Sequence, residues 1–378
     1  GGPKLEEGVR TGHVGSLAYV IRPMMSNKLQ KIAVEESRLK IPLLVGTDMI
    51  HGERTIMPVP IALAATWDPA LVEKVTAVEA REARAVWLNW TFAPMVDVTR
   101  DPRWGRIVEG SGEDPYLGSA MARANVLGLQ GPKIGTPGHI MAAPKHFAGY
   151  GFTVGGRDYS ESLVSDTDMY NVVLPPFEAA FKAGAGSTMT AYMSLNGQPA
   201  AANKWLMTDV LKKEWGFKGF TVSDANNINA LVTLGLAKND LDAAAMALNA
   251  GEDMESGFKG PAYENLPQAL KEGKITQKTL DDAVRRVLEM KIRLGLFENP
   301  YVDATKTEEI LSDPQHRVVS REAAEASAVL LRNDGVLPLK NVKSIAVIGP
   351  LADSKRDTLG PWIMDQKLEE TVTVLEGL

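Results

Sequence analysis

Short apolar runs alternate with longer helical patterns along most of this chain. We identify seven strand candidates, which are residues 14–20, 41–47, 91–96, 140–144, 188–191, 220–223 and 247–250. A repeated order of strand and then helix is typical of parallel strands joined by crossover helices. The sequence therefore predicts an α/β protein built on a parallel sheet.

Polar residues close nearly every strand candidate. Six of them are Asp48, Asp97, Lys145, His146, Tyr192 and Asp224. Polar side chains at the carboxyl ends of parallel strands form the catalytic face of a barrel. We therefore predict a (β/α)8 TIM-like barrel whose first element precedes Gly1, and a doubly wound sheet is the competing architecture.

The part of the chain after the predicted barrel has a different pattern of predicted elements. A helix that starts near Thr276 is expected to end at Gly295, in the position that glycine favours after a helix. A further amphipathic helix is predicted around residues 321–329. Residues 344–348 are then predicted to form the first strand of a second domain.

Composition excludes several classes of protein. The 378 residues carry a net charge of -6, which argues against an electrostatic grip on nucleic acid or anionic membrane. No apolar run approaches the roughly 20 residues that span a bilayer. Cysteine is absent, so disulfides and thiolate metal sites are excluded. We expect a globular protein, and the lack of cysteine slightly favours an exported one.

Asp224 is the candidate for chemistry, because it follows a short buried-type strand directly. An aspartate that caps the next helix is the competing interpretation. Lys145 and His146 form a second candidate, since two basic groups seldom close a buried strand without a polar task. A capping or salt-bridge role remains open for this pair.

Three other sequence patterns bear on a possible binding role. Arg100, Arg103 and Arg106 surround Trp104, where they could hold sugar hydroxyls or brace a loop. Asp48 lies three residues before His51, but no further histidine or cysteine is near, so a metal site is not expected. The glycines of 110–115 lack the dinucleotide fingerprint, and we predict no cofactor.

Seven motifs occur together along the chain. They are GTDMIHG at 46–52, DPRWGR at 101–106, KHF at 145–147, GRDY at 156–159, AY at 191–192, VSD at 222–224 and VLLRN at 329–333. In this order they resemble the β-glucosidases of glycoside hydrolase family three. PLADSKRD at 350–357 makes the bacterial periplasmic type the nearer match.

The resemblance implies a retaining, exo-acting β-glucosidase whose barrel is followed by an α/β sandwich. Asp224 matches the nucleophile, which forms a glycosyl-enzyme intermediate with the anomeric carbon. The positions that match the family's sugar-binding residues are Asp48, Arg106, Lys145, His146, Arg157 and Tyr192. Relatives supply the general acid as a glutamate on a loop of the second domain, which is expected beyond residue 378.

The same resemblance implies the domain boundaries and partners. Residues 1–312 would form the barrel, and residues 313–378 a linker and the beginning of an incomplete α/β sandwich. The expected substrate is a β-glucoside or oligosaccharide, in the periplasm or outside the cell. No nucleic acid or membrane partner is expected, and homodimerisation is left open.

Three alternatives accompany this interpretation. A β-xylosidase or arabinosidase of the same family shares most of these residues. The β-N-acetylglucosaminidase branch is disfavoured, because residues 149–160 contain no histidine. A sugar-binding protein without turnover is the alternative from another class. One departure is Ala225, which stands where many relatives of the resembled family have tryptophan or histidine directly after the nucleophile, so the aglycone preference is left open.

Overall fold

The structure is a computed structural model that describes residues 2–20, 23–258 and 260–378. Its strands are β1 (Ser16–Ala18), β2 (Leu44–Thr47), β3 (Trp90–Thr91), β4 (Met141–Ala142), β5 (Ser187–Met189), β6 (Ser194–Leu195), β7 (Gln198–Pro199) and β8 (Phe220–Val222). Strands β6 and β7 form a small antiparallel hairpin. The remaining six strands are parallel and belong to the barrel.

Helices follow the barrel strands and complete the α/β alternation. The α-helices are α1 (Gly2–Arg10), α2 (Pro23–Lys31), α3 (Pro60–Ala64), α4 (Pro69–Ala85), α5 (Pro115–Gln130), α6 (Asp166–Asp168), α7 (Leu174–Lys182), α8 (Asn227–Thr233), α9 (Asp240–Ala250), α10 (Leu266–Lys271), α11 (Gln277–Arg293), α12 (Thr307–Leu311), α13 (Pro314–Ser327) and α14 (Val374–Gly377). Wider π-helical turns occur at Ile32–Glu36, Met169–Val173 and Trp205–Glu214.

The strands pair in the order in which they occur along the chain. Strands β1, β2, β3 and β4 form one parallel series, and β5 pairs with β8. Parallel bridges continue the series from Phe147 to Thr190 and from Val222 to Met254. A doubly wound sheet would reverse its strand order at a switch point, and no reversal occurs in this series. The TIM-barrel-like α/β fold is therefore confirmed.

Two strand predictions are wrong. Residues 247–250 lie in helix α9, whose start is capped by the Asn239 side chain and whose alanines favour helix. The seventh strand position is instead Met254. Residues 344–348 form no strand in the described part of the chain, and Ile348 is 90% exposed because nothing there pairs with it. The predicted sandwich domain and its boundary stay predictions.

The helix ends in the structure agree with the sequence patterns better than these two strands do. Asp68 caps α4 by accepting hydrogen bonds from the Ala70 and Leu71 amides at 3.0 and 3.1 Å. Thr276 caps α11, which ends shortly before Gly295 at φ 70°. The last predicted helix is α13, which starts earlier than residue 321 and ends at Ser327.

The aromatic core fixes one end of the barrel. Trp90 is buried and meets the rings of Phe92 and Phe220 edge-on, with centroids 4.7 and 5.4 Å apart. Its indole donates to Ser187 Oγ at 2.8 Å. Burying each such ring stabilises the fold by about 1.5–3 kcal/mol, so this cluster holds β3, β5 and β8 in register.

The C-terminal segment, which we define as residues 359–371, crosses the carboxyl end of β2. Gln366 donates to the Gly52 carbonyl at 2.8 Å, and the Asp365 amide donates to the Glu53 carbonyl at 3.0 Å. Gly52 sits in a tight turn at φ 115°, where a Cβ would lie 2.1 Å from the Thr55 carbonyl oxygen. The turn after β2 therefore has a fixed shape against which the segment packs.

Candidate active site

Asp224 lies two residues beyond the end of β8, at the carboxyl end of the barrel. Its side chain is 14% exposed, so the carboxylate keeps access to solvent in the space that we call the pocket, bordered by Lys145, His146 and Tyr192. The Ala225 amide donates to Asp224 Oδ1 at 2.7 Å. This amide and the strand end fix the position of the carboxylate.

Opposing influences act on the Asp224 carboxyl. Burial raises its pKa above the ordinary value, and the nearby charge of Asp48 adds to this. The Lys145 ammonium, the Ala225 amide and the Tyr192 hydroxyl lower the pKa, because each favours the ionised form. The carboxyl is thus held by groups that stabilise its anion in a site that would otherwise favour the acid.

Lys145 and Asp48 form a buried ion pair beside Asp224. Lys145 is 1% exposed, and its ammonium donates to Asp48 Oδ1. The second oxygen of Asp48 accepts a hydrogen bond from the Tyr19 hydroxyl. Tyr19 follows β1 in a left-handed conformation with φ 59°, a type of strain that costs on the order of 1–3 kcal/mol. The sequence analysis did not identify Tyr19.

His146 is fully buried and lies between an acid, Asp97, and a cation, Arg106. Its Nδ1 lies 2.9 Å from Asp97 Oδ2, and its Nε2 lies 3.0 Å from Arg106 Nη2. Since guanidinium can only donate, Nε2 accepts and Nδ1–H donates to Asp97, which defines a neutral imidazole. Burial lowers the pKa of His146, and the charges of Arg106 and Lys145 lower it further. His146 Nε2 is also 3.6 Å from Asp224 Oδ2.

Arg106 is held in place by a second acid. It forms a forked ion pair with Glu109, with Nε–Oε1 and Nη2–Oε2 distances of 2.8 and 3.1 Å. Its guanidinium also lies 5.6 Å from the centre of the Tyr150 ring. These contacts leave the Arg106 fork rigid at the edge of the pocket, beside His146.

Tyr192 lines the pocket next to Asp224, whereas Arg157 does not reach it. The Tyr192 ring lies 5.0 Å from that of Tyr159 and 6.3 Å from that of Tyr150, in edge-on contacts. Arg157 is exposed, and no hydrogen bond or ion pair of its side chain is found among the described residues. The structure thus brings five of the six predicted sugar-binding residues together around Asp224, and the predicted role of Arg157 stays a prediction.

Trp362 of the C-terminal segment reaches the same pocket. The Lys145 ammonium lies 5.4 Å from the centre of its ring, in a cation–π arrangement. Thr47, at the end of β2, contacts the Met364 sulfur at 3.2 Å. An aromatic ring therefore lies beside Lys145 even though Ala225 follows the candidate nucleophile. No local pattern could have revealed a contact across more than two hundred residues.

Asp253 and Glu252, which come directly before the strand position at Met254, have structural roles. Asp253 pairs with Lys212 at 2.7 Å and with Arg286 at 2.9 Å. Glu252 is fully buried, accepts from Thr190 Oγ1 at 2.6 Å and has a pKa raised to about 8 by burial. Neither carboxyl opens into the pocket as a second catalytic acid.

The remaining polar motifs brace loops. Arg103 pairs with Asp101 at 2.7 Å on the surface, and Arg100 lies over the Phe152 ring. His51 is held by the carbonyls of Met57 and Pro361. Among the described residues, no group of three or more histidines, cysteines or acids could hold a metal ion. Residues 2–20, 23–258 and 260–378 likewise contain no helix long and apolar enough to cross a membrane.

The sequence matches a described protein family and is similar to known relatives. Residues 5–290 match the family described as "Glycosyl hydrolase family 3 N terminal domain". The chain is 42% identical to the periplasmic beta-glucosidase of Salmonella typhimurium, over 99% of this chain and 50% of that protein. It is 38% identical to a beta-xylosidase of Formosa agariphila, over 87% of this chain and 49% of the relative.

A solved structure has the same fold. The beta-glucosidase of Listeria innocua in complex with glucose superposes with a TM-score of 0.94 at 37% identity. That alignment covers 100% of this chain and 53% of the Listeria protein. The chain therefore spans about half the length of the relatives that it matches.

Proposed function

The chain belongs to glycosyl hydrolase family 3, and on this basis we propose that it carries the nucleophile and sugar-binding pocket of a retaining, exo-acting β-glucosidase. The reaction is hydrolysis of terminal, non-reducing β-D-glucosyl residues through a covalent glycosyl-enzyme intermediate. A substrate of this kind would place its terminal sugar against Asp224 and its leaving group towards the opening of the pocket.

The observation that carries the proposal is the environment of Asp224. A nucleophilic carboxylate must be anionic when it attacks the anomeric carbon. Lys145 and the Ala225 amide favour that anion, against the burial that disfavours it. His146 lies beside the carboxylate as a neutral ring, so it does not compete as a second cation. Attack by Asp224 forms the carbon–oxygen bond as the glycosidic oxygen departs.

Sugar recognition is assigned to the charged groups next to the nucleophile. The Lys145–Asp48 pair offers a donor and an acceptor side by side, which matches a hydroxyl that both accepts and donates. The Arg106 fork adds fixed donors on the other side of His146. Hydrogen bonds to charged groups are roughly twice as strong as neutral ones, so these residues would fix the sugar ring.

Protonation of the leaving oxygen requires a second carboxyl group about 5–5.5 Å from the nucleophile. Asp48 raises the pKa of Asp224, but its carboxylate is ion-paired with Lys145 and accepts from the Tyr19 hydroxyl, so we assign it to sugar recognition and not to proton donation. We assign the general acid to a residue outside those that the structure describes. Residues 1–378 would then supply glycosylation chemistry that depends on an external acid for poor leaving groups.

A β-xylosidase is the second candidate, because the Formosa agariphila relative with that name is 38% identical. Tyr19 bears on the choice, since its hydroxyl already occupies one oxygen of Asp48. A hexose that binds both Asp48 oxygens would share one of them with this phenol, whereas a sugar with a single hydroxyl there would not. For localisation we propose the periplasm or the cell exterior, supported by the name of the Salmonella typhimurium relative.

Sugar release from chromogenic aryl β-glucosides and β-xylosides tests the proposal. We expect faster release from the glucoside, and loss of nearly all release in Asp224→Asn, whose amide cannot act as the anionic nucleophile. Asp209→Asn, which changes an exposed ion pair, is the matched control and should keep full activity. Binding of glucose without any release would indicate a sugar-binding protein instead.

A further inference from the structure

A cleft on the outside of the barrel lies between α4, the loop after α5 and the start of α12. It has a volume of about 730 Å³ and adjoins a second cleft of about 310 Å³. Small-molecule sites in proteins commonly have volumes of roughly 300–1,000 Å³. The two clefts share Arg84, Pro137, Gly138 and His139, and none of the residues assigned to the sugar pocket lines either of them.

Arg84 is the unusual residue of this cleft. It is partly buried in the last turn of α4, and its Nη1 has no exposed surface and no hydrogen-bond partner. No hydrogen bond or ion pair of its guanidinium is found within residues 2–20, 23–258 and 260–378. Burial without a counter-charge lowers the pKa of Arg84. A guanidinium that has lost water and gained no acceptor destabilises the fold, unless something else supplies an anion.

The other cations of the cleft separate into two kinds. Lys74 and Arg81 are paired with Glu322 and Asp313 across 2.5 and 3.6 Å, so their charges are already compensated. Lys306 has no ion pair within 4.0 Å among the described residues. Two cations without a close ion pair among the described residues, Arg84 and Lys306, therefore line one cleft.

The acid that lines the cleft is also engaged. Asp303 Oδ1 accepts from the Thr305 amide at 3.1 Å and from the Thr305 hydroxyl at 2.5 Å. It stands near Lys306, which lowers its pKa, but forms no hydrogen bond with Arg84. The cleft therefore keeps an excess of positive charge after its own acid is counted.

Much of the uncharged lining is apolar, and hydrogen bonds hold the surrounding elements in place. Val78, Ile310 and Val319 form much of the wall. The Thr307 hydroxyl donates to the Ala85 carbonyl at 3.0 Å, which ties α12 to the end of α4. The Trp87 indole donates to the Pro300 carbonyl at 3.1 Å and ties down the neighbouring loop. The cleft is thus formed in advance, with a cationic floor and apolar walls.

We propose that this cleft is a binding site for a small organic carboxylate, whose apolar body packs on the walls and whose carboxylate binds Arg84 and Lys306. Guanidinium binds a carboxylate through two parallel hydrogen bonds, and Nε and Nη2 of Arg84, which are not fully buried and form no hydrogen bond among the described residues, can supply both of them. Such a ligand would compensate the charge that the protein leaves unpaired. The site is separate from the sugar pocket and does not depend on turnover.

Isothermal titration calorimetry with 4-phenylbutyrate tests the site, and 4-phenylbutyramide serves as the neutral ligand of the same shape. We expect the acid to bind the wild type at least about tenfold more tightly than the amide. Arg84→Met should remove that preference, and Lys306→Gln should weaken it. Arg123→Met is the matched control, because Arg123 is exposed on α5 and lines neither cleft.

Unfolding without ligand gives an independent readout. Arg84→Met keeps the stem and removes the unpaired charge, so its melting temperature should exceed that of Arg123→Met. Equal affinity for acid and amide would overturn the proposal, as would unchanged binding of the acid by Arg84→Met. A lower melting temperature for Arg84→Met would mean that the guanidinium is already paired in solution, which would also overturn it.

Discussion

Replacing Lys145 by methionine separates two roles of one buried ammonium. The change keeps the volume of the side chain but leaves Asp48 without its charged partner. The Asp48 side chain is 9% exposed, and removing one partner of a buried pair typically costs about 3–5 kcal/mol. Because Asp48 would still accept from the Tyr19 hydroxyl, we expect a loss of about 3 kcal/mol in the free energy of unfolding.

The second effect of Lys145→Met is on the pH dependence of catalysis. Lys145 is the largest of the influences that lower the pKa of Asp224, so its removal should raise that pKa. A nucleophile with a higher pKa is protonated over a wider acidic range. The acidic limb of the kcat/KM profile for dinitrophenyl glucoside should therefore move to higher pH.

Lys291→Met is the matched control for both measurements. Lys291 is also buried, but its ammonium binds the Gly15 and Pro42 carbonyls at 2.8 and 2.7 Å, away from Asp224. It should lower the urea midpoint of unfolding without moving the pH profile. If Lys145→Met is destabilised and its acidic limb stays in place, the electrostatic argument for Asp224 is refuted.

Three further predictions concern recognition, stability and the missing acid. Asp48→Ala should reduce kcat/KM on aryl glucosides far more than it reduces stability, and normal kinetics would remove Asp48 from the sugar-binding set. Glu252 has a pKa raised from 4.5 to about 8, so its stabilising effect is complete below pH 4.5 and is lost as the pH rises through 8. Glu252→Gln keeps an acceptor for Thr190. Its free energy of unfolding should match that of the wild type near pH 5 and exceed it by about 4 kcal/mol at pH 9. Equal urea midpoints of the two proteins at pH 9 would contradict a buried neutral acid. Residues 1–378 alone should cleave cellobiose very poorly but dinitrophenyl glucoside much better, since acid catalysis contributes typically 10²–10⁴-fold; efficient cellobiose cleavage would place the acid within these residues.

Much of the site was predictable because it is built from strand ends. Asp48, Lys145 and Asp224 each follow a parallel strand, and parallel strands of a barrel deliver their next residues to one face. The positions of these residues after their strands therefore predict that their side chains lie close together. The cap at Asp68 is local in the same way, because an aspartate directly before a proline is typical of the start of a helix.

The contacts that sequence analysis missed are non-local. Tyr19 meets Asp48 only because β1 and β2 are neighbours, and Trp362 meets Lys145 only because the C-terminal segment folds back. Two short apolar runs were wrongly predicted to be strands for a different reason. The alanines of 247–250 fit a helix as well as a strand, and periodicity over four residues cannot separate the two. Residues 344–348 have strand-like side chains but no described partner strand.

The central claim is that Asp224 forms a covalent bond with the sugar. Incubation with 2,4-dinitrophenyl 2-deoxy-2-fluoro-β-glucoside tests it, because the fluorine slows both steps and the leaving group needs no proton. Mass spectrometry of the digested protein should find the fluoroglucosyl group on Asp224, and Asp224→Asn should remain unlabelled. Labelling of another carboxylate, such as Asp48 or Glu252, would contradict the account.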